Sequence, residues 1–195
     1  MSTGSLDGFA TELAARIGRP ARVRPFVCDG SPLECRAIIV GSHPATALEI
    51  DFWEFWEPGT GFRRADWDTR YREARKHLGK TEVSPTRRIL DRITAAAGPM
   101  RCLETNVEPT PGGTGPHVLD FLLASIRPAA VLAFGAAARR HFAELCGVDS
   151  APNDGFHTVN TPWGTARLGM VSHLQGCSYA RADELGRELA RASGG

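Results

Sequence analysis

Arg36-Ala37-Ile38-Ile39-Val40-Gly41-Ser42-His43-Pro44-Ala45-Thr46 is the stretch whose reading decides the fold. Ala37 to Val40 is short, apolar and β-branched, the pattern of a strand covered on both faces. Gly41 breaks the run, Ser42-His43-Pro44 does not continue it, and Thr46 is placed to cap a following helix. A strand ending in such a turn puts His43 at the carboxyl edge of a sheet, where open α/β folds bind their ligands.

Upstream, Phe9, Leu13 and Ile17 recur at helical spacing before Gly18, and Val23 to Cys28 reads as an edge strand. Downstream, Ile50 to Pro58 is dense in aromatics, either core or an apolar wall for a flat ligand continuing into Gly59-Thr60-Gly61-Phe62. Asp66 to His77 reads as a charged helix with Trp67 and Tyr71 on one face. Ser84-Pro85 opens a second, with Ile89 and Ile93 inward, Gly98 as its stop, and Arg87, Arg88 and Arg92 outward. Cys102 to Val107 and Ala129 to Phe134 read as two further buried strands, separated by a Pro/Gly/Thr loop over 108–116 and a helix over 118–126. Gly135 turns the chain into a helix ending near Gly147. Phe156 to Asn160 and Thr165 to Val171 follow as a hairpin, and a closing helix runs from Ala182 to Ala192.

Buried strands separated by helices predict a three-layer α/β/α sandwich with a mainly parallel central sheet. A length of 195 residues suits a single domain spanning the whole of 1–195. No leader-like or membrane-spanning apolar run is expected. Five scattered cysteines, odd in number and without Cys-x-x-Cys, favour a reducing, cytoplasmic setting.

The net charge of +1 gives no global field for nucleic acid, but its distribution is uneven. Residues 1–62 carry five basic and eight acidic groups, whereas 63–92 carry ten basic and five acidic. Arg63, Arg64, Arg87 and Arg88 therefore form either a phosphate-contacting patch, for which the guanidinium fork is well shaped, or a solvated helix face.

Four short motifs lie in order along the chain: Gly41-Ser42-His43-Pro44, Gly59-Thr60-Gly61-Phe62, Leu103-Glu104-Thr105-Asn106 and Ser172-His173-Leu174. Together they resemble the uracil-DNA glycosylase superfamily, whose first motif is a strand followed by Gly-x-(Asp/Asn/Glu/Ala)-Pro and whose second, typically His-Pro-Ser, follows a late strand. The resemblance spans roughly residues 36 to 190. It implies a glycosylase-like domain that hydrolyses the N-glycosidic bond of a flipped uracil or other deaminated base in DNA.

The roles implied follow residue by residue. His173 would donate to the base carbonyl as charge builds there, and Asn106 would pair with the base edge. Phe62 would stack on the ring, and Gly41 and Ser42 would contact the base beside it. His43 would hold the attacking water, and Leu174 would wedge into the vacated stack. Two departures stand out: His43 occupies a place usually held by Asp, Asn, Glu or Ala, and Leu174-Gln175 replaces Pro-Ser. The resemblance implies no metal or organic cofactor, and the cysteine spacing lacks the pairs of the iron–sulfur branches. DNA is the expected partner, with no membrane.

Other readings stay open beside this one. The same fold could bind a nucleobase or nucleic acid without catalysis. His43, His173 and Cys177, with His157, could ligate zinc if their loops converge. A serine hydrolase is disfavoured, because Gly-x-Ser-x-Gly is absent.

Overall fold

A computed structural model describes residues 4–44, 46, 49–108, 110, 117–153 and 155–194. In chain order its elements are α1 (Leu6–Ile17), β1 (Ala37–Gly41), β2 (Trp56–Glu57), β3 (Gly61–Phe62), α2 (Arg64–His77), α3 (Pro85–Ala96), β4 (Cys102–Asn106), α4 (Leu119–Ile126), β5 (Ala130–Phe134), α5 (Ala136–Cys146), β6 (His157–Thr161), β7 (Gly164–Val171) and α6 (Tyr179–Ala192). Among the described residues no helix is long and apolar enough to cross a membrane.

All five residues of β1 are buried, as its unbroken apolar run requires. It lies between β4 and β5, parallel to both, and β7 continues the parallel set beyond β5. β6 closes the sheet antiparallel, giving the order β4-β1-β5-β7-β6. After β1 the chain builds outward to β4, then crosses back over β1 to β5. That reversal makes the end of β1 the topological switch point of the sheet.

Alternation along β1 sends Ile38 and Val40 to one face and Ile39 to the other. On the first face they meet Phe9 and Leu13 of α1, Leu122 of α4 and Phe142 of α5. On the second, Ile39 and Leu132 meet Ile89 and Ile93 of α3 and Leu185 and Leu189 of α6. Helices on both sides of a mostly parallel sheet make the three-layer α/β/α sandwich.

Ser84 caps α3 as its sequence predicts, its Oγ accepting from the Arg87 backbone N–H at 3.1 Å. Two local expectations are corrected. The Val23–Cys28 run is not a strand: it contributes one antiparallel bridge, Val27 to Glu104, beside the β4 edge. Among the described residues Thr46 caps no helix; its buried hydroxyl accepts from Arg75 Nη1 at 2.9 Å. The aromatic segment after Ile50 forms a 3-10 turn over Phe52–Phe55 and the small β2–β3 hairpin. Most of the 108–116 loop lies outside the described residues.

Candidate functional site

The parallel strands end together, and backbone hydrogen bonds continue past them. Val107 N donates to Gly41 O and Glu108 N to Ser42 O, both at 2.9 Å, so the turn after β1 is tied to the chain leaving β4. Gly135 N donates to Ser172 O at 2.5 Å, tying the ends of β5 and β7 in the same way. These bonds bring Ser42, His43, Asn106, Gly135 and His173 to one cleft of about 240 Å³ at the carboxyl edge. Larger depressions of about 530 Å³ beside Trp163 and about 480 Å³ beside Pro99 lie away from these strand ends.

Two glycines make the convergence possible. In register Gly41 faces Asn106. A Cβ at Gly41 would meet Phe134 Cζ at 2.5 Å and Asn106 Oδ1 at 2.8 Å, so ring and amide occupy the space a side chain would take. Gly135 has φ +81°, a left-handed value that favours glycine, and a Cβ there would meet Ser42 Oγ at 2.9 Å. The His173 ring sits 3.7 Å from the same point. Ser42, Gly135 and His173 are thus neighbours, although they come from three different strand ends.

Several polar groups of the cleft are uncommitted. Among the described residues, the side chains of Arg24, Ser42, His43, Asn106 and His173 make no hydrogen bond to one another or to anything else. Asn106 is the most telling, because its residue is only 6% exposed. Its amide lines the cleft with donor and acceptor both free, so a ligand with a matching edge can hydrogen-bond to both. No Asp or Glu is among the described residues lining the cleft, which carries only neutral and basic groups.

Beneath it lies a buried ion cluster. Glu104 points inward from the middle of β4, and Arg87 grips both of its oxygens, with Nη2 donating to Oε1 at 2.7 Å and Nη1 to Oε2. Arg64 Nη2 adds a bond to Oε1 at 2.9 Å, and Arg87 Nε reaches Asp91 Oδ1 at 2.8 Å. Burial pushes the Glu104 carboxyl up, but the Arg87 and Arg64 charges and hydrogen bonds outweigh it and hold it at about 2. Burial, with the Arg87 charge added, pushes the Arg24 guanidinium down to about 10, so it stays a cation at neutral pH.

The residues expected from sequence divide accordingly. Gly41, Ser42, His43, Asn106 and His173 come together. Phe62 does not: it is 1% exposed in a cluster with Phe26, Phe52 and Phe55, where its burial stabilises the fold and leaves no face for a ligand. Leu174 is likewise not a surface wedge, since it packs into the core with Ile89 and Leu185. Arg87 and Arg64 are bound to Glu104 and do not form an outward patch. Arg63 is exposed but pairs with Asp66 and the Glu54 carbonyl, leaving Arg88 as an outward-facing arginine on α3.

Phe134 and Arg24 are cleft residues that the sequence reading missed. The strand-end argument applied to β5 would have found Phe134, and a lone arginine between Val23 and Pro25-Phe26 was a signal for the other. Although His43 and His173 share the cleft, no three His, Cys, Asp or Glu side chains among the described residues converge as a metal site would need. No family model matches this sequence, and no curated protein is similar to it.

Proposed function

We propose that the protein is a DNA N-glycosylase that hydrolyses the bond between deoxyribose and a uracil or other deaminated base flipped into this cleft. The observation that carries the reading is the meeting of His43, Asn106 and His173 at the switch point, each with an uncommitted side chain. A volume of about 240 Å³ lies below the usual range for larger ligands, about 300–1,000 Å³, and suits a single base with part of its sugar.

In this reading Asn106 offers donor and acceptor to the base edge, and the half-buried Phe134 ring takes the stacking role that Phe62 cannot. As the C1′–N bond breaks, electron density passes to the base, and an N–H of His173 stabilises it at the carbonyl oxygen. A neutral nitrogen of His43 accepts a proton from the water whose oxygen attacks C1′. The departing base is then protonated by solvent.

A second reading, a base-binding protein without catalysis, is favoured by one feature: among the described residues no carboxylate lines the cleft to stabilise a cationic sugar. One assay separates them. Purified protein is incubated in excess over labelled oligonucleotides carrying uracil, hypoxanthine or xanthine, and abasic sites are scored by alkaline cleavage. Excision of at least one base, lost in His173→Ala, supports the glycosylase. Tight binding without excision supports the second reading, and neither binding nor excision overturns both.

A further inference from the structure

Arg24 presents to the cleft a cation that no hydrogen bond among the described residues satisfies. Its guanidinium lies 5.8 Å from the Trp67 ring centroid, yet among the described residues it makes no hydrogen bond or ion pair. Glu104, the acid whose charge reaches Arg24, is taken at both oxygens by Arg87 and Arg64. An unpaired charge held in a part-buried position is costly, and the fold could have avoided it with an apolar side chain.

The first turn of α3 lines the same cleft. Ser84 Oγ accepts from Tyr71 Oη at 3.2 Å and from Arg87 N at 3.1 Å, which leaves its own hydroxyl proton free to donate. Thr86 lines the same space from the second helical position, where a backbone N–H has no partner within the helix. The unpartnered, nearly buried Asn106 amide faces this space too and marks it as built for a ligand.

We propose that Arg24 and the first turn of α3 bind a phosphate group of the ligand, so that the cleft recognises a nucleotide and not a free base. The absence of Asp and Glu from its described lining leaves nothing there to repel such an anion. The phosphate part of this inference stands on Arg24 and α3 alone; only the nucleotide part rests on the proposed function above.

Calorimetric titration of wild type and Arg24→Met with four probes tests it: inorganic phosphate, deoxyuridine, deoxyuridine 5′-monophosphate, and a single-stranded oligonucleotide with one uracil. Wild type should bind the monophosphate about tenfold to a hundredfold more tightly than deoxyuridine, the effect of charge-assisted hydrogen bonds. Arg24→Met should lose that preference and its binding of inorganic phosphate, while its melting temperature holds or rises because an unpaired charge has gone. An equal loss on the oligonucleotide identifies a strand phosphodiester; a loss confined to the monophosphate identifies a free nucleotide. Unchanged phosphate binding in Arg24→Met overturns the inference, as does a wild type that binds no phosphate. Phosphate bound through Arg24 without any binding of deoxyuridine leaves the inference standing and sinks the nucleobase reading instead.

Discussion

Replacing Glu104 with Gln keeps the shape of the side chain and removes the charge on which Arg87 and Arg64 converge. Arg87 would keep Asp91 at 2.8 Å, and Arg64 would keep Asp91 at 3.3 Å and Asp68 at 3.7 Å, so compensation is partial. Breaking a buried pair from one side costs about 3–5 kcal/mol, and the remaining acids place this case near the lower end. The low value at which the fold holds Glu104 points the same way. Its carboxyl lies at about 2 in place of an ordinary 4.5, and about 1.4 kcal/mol per pH unit makes that about 3 kcal/mol. Because the folded value is the lower one, the unfolded chain takes up the proton first. The contribution is therefore complete at neutral pH and fades as pH falls from about 5 towards 2. Urea unfolding followed by tryptophan fluorescence measures it. At pH 7 the Gln variant should be less stable by about 3 kcal/mol, a drop in melting temperature of roughly 6–12 °C for a chain of this size. By pH 3 the gap should have narrowed clearly, since protonation of Glu104 then favours the unfolded chain. A gap below 1 kcal/mol at pH 7, or one that stays constant down to pH 3, would refute the reasoning.

Three further outcomes are expected. Gly41→Ala drives a methyl into Phe134 and Asn106; it should cost about 1–3 kcal/mol of stability and weaken ligand binding more than that loss explains, as read by urea unfolding and titration in parallel. His43→Ala should lose most of the single-turnover excision rate with binding to uracil-containing DNA retained, the mark of a group used mainly in the transition state, and His43→Asn should retain more of it. An Ala variant as fast as wild type removes His43 from the mechanism. Arg88→Ala should reduce the salt dependence of DNA binding by a slope of about 0.7–0.9, the effect of one phosphate contact. An unchanged slope assigns Arg88 to a solvated helix face.

The scaffold was legible because β1 and β5 each combine an apolar run with a sharp stop, and those stops mark strand ends that meet. The site was legible only where a residue's position along a strand decides its place. Gly41, His43, Asn106 and His173 follow from that rule. Phe62 and Leu174 do not, since an apolar side chain beside a ligand and one in a core leave the same trace in sequence; only the packing of Phe26 and Phe52, or of Ile89, tells them apart. The Arg-rich segment misled for another reason. Helical spacing gives Arg87 a face, but not the knowledge that a strand carrying Glu104 runs beneath that face. The charge within Leu103-Glu104-Thr105 was itself the clue, because a carboxylate in a buried strand demands a cation.

The bonds that run on beyond the strand ends have a consequence for how this cleft can change over time. Val107 and Glu108 hold the β1 turn through main-chain atoms, and Gly135 holds the end of β7 likewise, so the Cα positions of residues 42, 43, 106 and 173 do not depend on which side chains they carry. Exchange at these positions alters the reagents without moving the bench. A lineage with this framework can drift from His to Asn or Asp at position 43, or from one amide to another group at 106, and sample new chemistry in single steps while its folding stays intact. Gly41 and Gly135 are the exceptions, because the main chain itself depends on them.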